Sequence, residues 1–152
     1  TQTISLKLQL RLVLLSGDWI PCKMPARIRS LVEHAQVCSL GGATEASIWS
    51  IWYEVIDVAA CSMLPAIPYG CAMANQPWQI LEPKLRHKVP LFVPGELCIC
   101  GIGLAVGYLG SSLMTREKFI TTDENERLYR TGDLGRWIAE DGTVEFMGRL
   151  DF

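Results

Sequence analysis

The order of the first three patterned segments constrains the fold more than any other feature of the sequence. Residues 10–15 form a short apolar run, which predicts a buried strand. Apolar residues then recur at helical spacing over about residues 25–35, and residues 36–40 return to a strand-like pattern. Because a strand, a helix and a strand in succession favour a parallel pair joined by a crossover, we predict an α/β segment with a parallel sheet over about residues 1–65.

Prolines and glycines divide the chain into short pieces after about residue 65. A short helix is predicted near residues 115–119, capped by Ser111 or Ser112, whereas residues 46–53 fit either a helix or a strand. Asp141-Gly142 indicates a hairpin, because glycine accepts a positive φ. Strands are predicted over residues 79–81, 96–99, 128–130, 134–139 and 144–147. We therefore predict a mainly β segment over about residues 66–152.

Charge and hydropathy exclude several classes of partner. The net charge of the 152 residues is -2, so neither a nucleic acid nor an anionic membrane is an expected partner. No apolar run is long enough to span a bilayer, and the first 15 residues lack the pattern of a signal peptide, which predicts a cytoplasmic protein. His34 and His87 have no acidic or nucleophilic neighbour in sequence, and we assign them no catalytic role.

The six cysteines lack the spacing of a zinc or thioredoxin site, since none forms a Cys-x-x-Cys pair. We expect reduced thiols in a cytosolic protein, packed as small apolar side chains. The six are Cys22, Cys38, Cys61, Cys71, Cys98 and Cys100.

Three segments carry residue types suited to binding a nucleotide, although each has a simpler structural interpretation. The glycine-rich loop at residues 41–45 could bring backbone amides, a hydroxyl and a carboxylate to phosphate and Mg²⁺, or it could be a turn with a helix-capping Thr44. Asp133 could accept ribose hydroxyls, or it could bond its own backbone in a turn. Phe146 could stack on a base and Arg149 could reach a ribose or phosphate, or Phe146 could simply pack inside a sheet.

In their order along the chain, these segments resemble the motif series of nonribosomal peptide synthetase adenylation domains, which belong to the adenylate-forming superfamily. The series begins with the loop ending in Thr-Glu and continues through Pro-Tyr-Gly with Ala-Asn and through Gly-Glu-Leu with Gly-x-Gly-Leu-Ala-x-Gly-Tyr. It ends with Tyr-Arg-Thr-Gly-Asp and Gly-Arg-x-Asp, so that it covers about residues 10–152. The resemblance implies a fragment of the large N-terminal lobe, an α/β part followed by a mostly β part, with Asp151 at the hinge to a small lobe.

The resemblance also implies an activity and its cofactors. Members of the family join an amino-acid carboxylate to ATP, release pyrophosphate and pass the aminoacyl adenylate to the phosphopantetheine thiol of a carrier domain. Thr44 and Glu45 are the implied catalytic residues, with Glu45 as the Mg²⁺ ligand. The implied nucleotide-binding residues are Gly42, Ala43, Thr44, Asp133, Phe146 and Arg149. The implied partners are ATP, an amino acid, and the carrier and condensation or cyclisation domains of the same synthetase.

Gly41 departs from the family pattern, because many members have an aromatic residue there that stacks on adenine. Phe146 or another group must then cover the base. This form of the loop resembles that of modules that activate cysteine and cyclise it, and alignment with the family puts five residues at the wall of the substrate pocket. They are Leu14, Ser16, Leu40, Ile48 and Trp49. This series resembles the pocket of cysteine-activating domains, which implies cysteine as the substrate and serine as the main rival, and a small apolar pocket with a serine hydroxyl is compatible with either.

Two other interpretations stay open. An acyl- or aryl-CoA ligase shares the Thr-Glu and Thr-Gly-Asp chemistry, and a non-catalytic nucleotide-binding module would keep the fold without turnover. Relative to the family, the chain lacks the phosphate-binding loop, the aspartate that binds the substrate α-amino group, and the small lobe with the catalytic lysine. Since these groups supply much of the charge complementarity to the transition state, we expect the 152 residues alone to be inactive.

Overall fold

The computed structural model describes residues 9–17, 20–64, 66–84 and 87–150, which form two β-sheets and three short helices. The strands of the first sheet are β1 Leu12–Leu15, β2 Gln36–Gly41, β3 Ile51–Glu54 and β4 Cys71–Ala72, in that spatial order. The strands of the second sheet are β5 Trp78–Leu81, β6 Gly95–Cys100, β7 Phe119–Thr121, β8 Arg127–Trp137 and β9 Val144–Arg149. The helices are α1 Met24–Leu31, α2 Val58–Met63 and α3 Ser112–Lys118. The predicted hinge residue Asp151 lies outside the described residues.

The predicted strand–helix–strand unit is confirmed. β1 and β2 pair in parallel, and α1 connects them. Pro25 lies in the first turn of α1, where a backbone amide has no helical partner in any case. The helix ends at Leu31 rather than near residue 35, because the amide of Val32 makes the last helical bond and a turn then buries Ala35 ahead of β2.

The rest of the first sheet is antiparallel, so the predicted parallel pairing holds, among the described strands, for β1 with β2. Residues 46–53, which fitted two patterns, contain a strand: β3 follows a 3₁₀ turn at Thr44–Ala46. Helix α2 was not predicted, because its six residues are nearly all apolar and show no one-sided helical pattern. The carboxylate of Asp57 begins it by accepting a hydrogen bond from the amide of Ala60 at 2.9 Å.

The second sheet is antiparallel throughout its described strands, in the order β5-β6-β8-β7 with β9 beside β8. β8 is one strand of 11 residues where two strands were predicted, because β6 pairs with it on both sides of Gly132, while β7 pairs with it before that glycine and β9 after it. The predicted hairpin between β8 and β9 is confirmed, with a φ of 83° at Gly142. The predicted cap of α3 is wrong: Ser111 precedes the helix without a side-chain capping bond, and its carbonyl accepts from the hydroxyl of Thr115 at 2.8 Å.

A short antiparallel bridge between Gly70 and Val144 joins the two sheets. The amide of Val144 donates to the carbonyl of Gly70 at 2.8 Å, and the amide of Tyr69 donates to the carbonyl of Val144 at 2.8 Å. Buried side chains from both sheets, including Ile51 and Leu97, form one cluster behind this bridge. The bridge therefore fixes how the residues before β4 lie against β9.

The cysteines were expected to be reduced thiols, and no segment was expected to span a membrane. All six cysteines are free thiols, and four of them are buried. Burial raises the pKa of the Cys100 thiol to about 12, so this side chain packs as a neutral group. Within the described ranges, each helix is too short or too polar to cross a membrane.

Candidate functional site

A cleft of about 800 Å³ is lined by both sheets and by the segment that joins them. Its lining comes from the turn after β1, the end of β2 with the loop that follows, residues 66–69, and β8 and β9. The cleft therefore gathers residues from opposite ends of the sequence.

The glycine-rich loop enters the cleft because Gly41 is the last residue of β2. Gly42 has a φ of 143°, and a side chain there would put its Cβ 2.5 Å from a backbone carbonyl. The amide of Ala46 donates to the carbonyl of Ala43 at 2.9 Å and closes the turn. Since Ala43 occupies the position before the 3₁₀ turn, Thr44 does not act as a cap, and its exposed side chain lines the cleft.

Glu45 lies next in the loop, where two tyrosines hold its carboxylate. The hydroxyl of Tyr108 donates to Oε1 of Glu45 at 2.5 Å, and the hydroxyls of Tyr108 and Tyr129 are 3.4 Å apart. Burial tends to raise the pKa of Glu45, but hydrogen bonds from Tyr108, from the backbone amide of Glu45 and from Tyr129, together with the charge of Lys118, outweigh burial and lower this pKa. Burial, together with the nearby carboxylate, raises the pKa of both tyrosines, which remain neutral donors. Glu45 is therefore an oriented carboxylate beside Thr44, although it is not among the residues that line the cleft.

Asp133 and Arg149 form an ion pair between β8 and β9 on the lining of the cleft. Nη1 of Arg149 donates to Oδ1 of Asp133 at 2.7 Å, and the two side chains are 65% and 13% exposed, respectively. Burial raises the pKa of Asp133, although the charge of Arg149 and its hydrogen bond oppose the shift. The amide of Asp133 donates to the hydroxyl of Thr131 at 3.0 Å, which orients the backbone. A carboxylate in one ion pair still has lone pairs that can accept hydrogen bonds from ligand hydroxyls.

Two aromatic rings on the cleft lining contact each other. The ring centroids of Tyr69 and Phe146 are 5.5 Å apart, and the rings are tilted by 55°. Trp78 packs edge-on against Tyr69, with centroids 5.5 Å apart and an interplanar angle of 74°. Burial raises the pKa of the Tyr69 phenol, and the charge of Asp133 acts in the same direction. The cleft therefore has aromatic surface on the same lining as its ion pair.

Three of the five predicted pocket residues line this cleft, namely Ser16, Leu40 and Ile48. Trp49 is adjacent: its indole N–H donates to the hydroxyl of Ser16 at 2.9 Å. Leu14 lies on β1, is 47% exposed and is not among the lining residues.

The predicted nucleotide-binding residues converge with one exception. The cleft lining contains Gly42, Thr44, Asp133, Phe146 and Arg149. Ala43 packs instead against the buried cluster behind the loop.

Two tyrosines of the site were not predicted from the sequence: Tyr69, whose ring contacts Phe146, and Tyr108, which donates to Glu45. Both tyrosines lie within motifs of the family series, Pro-Tyr-Gly and Gly-Tyr, and this position in the motifs could have indicated a role in the site. Also not predicted was an ion pair on the cleft lining, in which Nε of Arg136 donates to Oε2 of Glu145 at 2.6 Å.

Comparison with known proteins supplies the family. The sequence model of the family described as AMP-binding enzyme matches residues 2–109. The chain is 47% identical over 142 residues to bacitracin synthase 1 of Bacillus licheniformis and 46% identical over 141 residues to pyochelin synthetase PchF of Pseudomonas aeruginosa. Each alignment covers 93% of this chain but only 3% of the first relative and 8% of the second. The chain therefore spans less than a tenth of the length of either relative.

Solved structures agree with the sequence comparison. The nonribosomal peptide synthetase FmoA3 (S1046A), in a form bound to α-methyl-L-serine-AMP, superposes with a TM-score of 0.85 at 40% identity, covering 94% of this chain and 16% of that one. PA1221, a nonribosomal peptide synthetase protein with adenylation and PCP domains, superposes with a TM-score of 0.83 at 28% identity, covering 93% of this chain and 29% of that one. The chain belongs to the AMP-binding enzyme family, and within that family it is part of a nonribosomal peptide synthetase adenylation domain.

Proposed function

We propose that the chain forms part of a domain that activates an amino acid with ATP, yielding an aminoacyl adenylate and pyrophosphate. The observation that carries the proposal is the convergence of Thr44, Asp133 and Arg149 on one cleft that also contains Ser16 and Leu40. Two structures of the relative FmoA3 hold AMPPNP and α-methyl-L-serine-AMP, which supports a nucleotide and a small amino acid as the ligands.

The chemistry of the cleft fits a nucleotide. Thr44 offers an exposed hydroxyl beside a glycine-rich backbone, which suits phosphate oxygens. The Asp133 carboxylate accepts the ribose hydroxyls, while Arg149 holds that carboxylate in place and stands near the sugar. Phe146 contributes apolar surface for the base. Together these residues orient the α-phosphate for attack by the amino-acid carboxylate.

Glu45 is the proposed magnesium ligand. Mg²⁺, when bound, neutralises the negative charge that develops on the phosphates during adenylate formation. The contribution of the chain is a carboxylate that hydrogen bonds already orient, the first of them from the hydroxyl of Tyr108 to Oε1. Thr44 and Glu45 then act side by side, the first on phosphate oxygen and the second on the ion.

Cysteine is the proposed amino acid, with serine as the next candidate. The hydroxyl of Ser16 accepts the indole N–H of Trp49, so its own proton is free to point at a substrate thiol or hydroxyl. Leu40 and Ile48 add apolar surface of the cleft, which suits a short polarizable side chain. Leu14 remains a proposed contributor to the same pocket.

The later steps of the proposal involve groups beyond this chain. The aminoacyl group passes from the adenylate to the phosphopantetheine thiol of a carrier domain, so that a thioester forms and AMP leaves. Condensation or cyclisation domains of the same synthetase then use the thioester. Asp151 is the proposed hinge for the movement between the two half-reactions.

The test is ATP–pyrophosphate exchange by the complete adenylation domain that contains this chain, with cysteine, serine and threonine measured side by side. We expect exchange with cysteine well above exchange with serine. Exchange with another amino acid would keep the activity and reject cysteine. Exchange with none, or with aryl acids alone, in a folded domain would reject amino-acid activation.

Ser16→Ala tests the pocket, with Ser30→Ala as its matched control. Ser30 lies on α1, outside the cleft lining, and its hydroxyl donates to the carbonyl of Arg27. Loss of one hydrogen bond to the substrate costs about 1 kcal/mol, so kcat/KM for cysteine should fall by about fivefold in Ser16→Ala. An equal effect of the two variants would show that Ser16 does not contact the substrate.

A further inference from the structure

Gly41 and Tyr69 compete for the same volume. A Cβ atom built on Gly41 would lie 1.9 Å from Cε2 and 2.6 Å from Cζ of Tyr69, far inside van der Waals contact. The phenol ring of Tyr69 therefore fills the space into which a side chain at position 41 would extend. An aromatic ring attached at position 41 or at position 69 can occupy this space, but rings at both positions cannot.

The Tyr69 ring is held in this place by the surrounding structure. Its backbone amide donates to the carbonyl of Val144 at 2.8 Å, in the bridge that joins the two sheets. The buried Trp78 packs edge-on against the ring, and the indole N–H of Trp78 is itself anchored on the carbonyl of Ser50 at 3.1 Å. An aromatic surface fixed in this way loses little conformational entropy when a ligand stacks on it.

The distance between the two cleft rings decides how a base can bind. A planar base between two rings needs about 7 Å, because each stacked pair is separated by about 3.5 Å. The centroids of Tyr69 and Phe146 are only 5.5 Å apart, so no base fits between them. Because the two ring planes are tilted by 55°, a base can stack flat on one ring only, while the other ring contacts its edge.

The ion pair between Asp133 and Arg149 indicates where the ribose of a bound nucleoside would lie. Asp133, Arg149 and Tyr69 line the same cleft, so the carboxylate proposed for the ribose hydroxyls faces the same space as this ring. A base joined to a ribose at Asp133 would lie in the cleft that Tyr69 and Phe146 line. The ring thus stands where a nucleoside bound through Asp133 would need an apolar, planar contact.

We infer that Tyr69 supplies an aromatic wall of the nucleobase subsite, from a segment of the chain different from position 41, and that the absence of a side chain at Gly41 is what admits it. The inference rests on the proposed binding of ATP to this cleft. It assigns to Gly41 a specific requirement: any larger residue displaces the ring that contacts the base.

The first test compares Tyr69→Leu, Tyr69→Phe and the control Tyr53→Leu in the complete adenylation domain, by ATP–pyrophosphate exchange. Tyr53 lies on β3 and is not among the residues that line the cleft. Because stacking of an aromatic side chain on a base is worth roughly a fivefold factor or more, KM for ATP should rise about tenfold in Tyr69→Leu. KM for the amino acid should stay unchanged, and Tyr69→Phe and Tyr53→Leu should keep the wild-type KM for ATP.

The second test moves the ring. Gly41→Tyr alone should impair ATP binding, since two rings collide, whereas Gly41→Tyr combined with Tyr69→Leu should recover most of the affinity lost in Tyr69→Leu. Equilibrium binding of adenosine and of inorganic tripolyphosphate separates base from phosphate contacts: Tyr69→Leu should weaken adenosine and leave tripolyphosphate unchanged.

Three outcomes would overturn the inference. An unchanged KM for ATP in Tyr69→Leu, in a domain that exchanges normally, would reject the role of Tyr69 and leave the proposed function standing. A parallel rise in both KM values, or an equal loss in adenosine and tripolyphosphate affinity, would assign the ring a purely structural role. A folded wild-type domain without exchange and without adenosine binding would remove the proposed function itself.

Discussion

The ion pair between Glu96 and Arg130 offers a sharp test of how the second sheet is held together. Nε and Nη2 of Arg130 donate to Oε2 of Glu96 at 2.8 and 2.6 Å. The side chain of Glu96 is 3% exposed and that of Arg130 is 16% exposed, so the pair is nearly dry. Among the described residues, Oε1 of Glu96 is buried without a hydrogen-bond partner, which leaves Arg130 as the main source of compensation for this carboxylate.

Replacing Arg130→Met should therefore be costly. The change leaves a buried carboxylate without its partner, and breaking a buried pair in this way destabilises a protein by about 3–5 kcal/mol. Removing both partners together, in Glu96→Leu with Arg130→Met, should recover most of this loss, because an apolar pair of similar volume carries no desolvation penalty. The pair joins β6 to β8 at a shift in their register, so its loss also loosens the strand that carries Asp133.

Lys88→Met is the matched control for this experiment. Lys88 pairs with Glu124 at 3.0 Å, but the two side chains are 58% and 71% exposed, and such a surface pair contributes about 0–1 kcal/mol. Urea unfolding of the complete adenylation domain, followed by tryptophan fluorescence, gives the free energy of each variant. The reasoning fails if Arg130→Met loses no more stability than Lys88→Met, or if the double variant is as unstable as Arg130→Met.

Three further changes test the site and the bridge. Asp133→Asn should raise KM for ATP more than KM for the amino acid, because an amide lacks the charge that strengthens hydrogen bonds from ribose hydroxyls, and exchange kinetics check this. Tyr108→Phe removes the hydrogen bond that keeps the pKa of Glu45 below its ordinary value, so the acidic limb of the kcat/KM profile should move to higher pH. Gly70→Ala, with a φ of 105° and a carbonyl 1.9 Å from the new Cβ, should lower the free energy of unfolding by about 1–3 kcal/mol in urea titrations. Gly110→Ala, with a φ of 74° and open space around it, should cost less than Gly70→Ala in the same titrations.

Elements whose pattern is local were predictable from the sequence. The strand–helix–strand unit of β1, α1 and β2 depends on periodicity within about 30 residues, and this unit was predicted. The end of α1 was not, because burial of Ala35 in a turn is a tertiary effect that helical spacing does not reveal. α2 was not recognised, because its nearly all-apolar sequence shows no helical face.

β8 shows how pairing overrides local signals. Thr131-Gly132-Asp133 has the composition of a turn, and one strand was predicted on each side of it. In the structure, the hydroxyl of Thr131 donates to the carbonyl of Leu97 at 2.7 Å on the neighbouring β6, and Asp133 is paired in register with Arg149 of β9. These partners are distant in sequence, so a prediction made from the local pattern around Gly132 cannot take them into account.

The same distinction applies to the site. Thr44, Asp133 and Arg149 stand in motifs whose order is specific, and the cleft brings all three together. The partner of Glu45 was not foreseen, since nothing in the glycine-rich loop indicates that its carboxylate is oriented by Tyr108, 63 positions later in the chain.

The relation between Gly41 and Tyr69 shows why a missing side chain is difficult to interpret from sequence. Considered alone, Gly41 indicates the loss of an aromatic contact, and the predicted replacement was Phe146 or another group. The structure shows that the missing volume is already filled by a ring from residue 69, which is held by the bridge to Val144 and backed by Trp78. When a neighbouring side chain fills the space beside a glycine, any larger residue at that glycine is excluded by steric overlap. Substitution at Gly41 should therefore be tolerated only when Tyr69 is made smaller at the same time, which is a dependence between two positions that neither position reveals by itself.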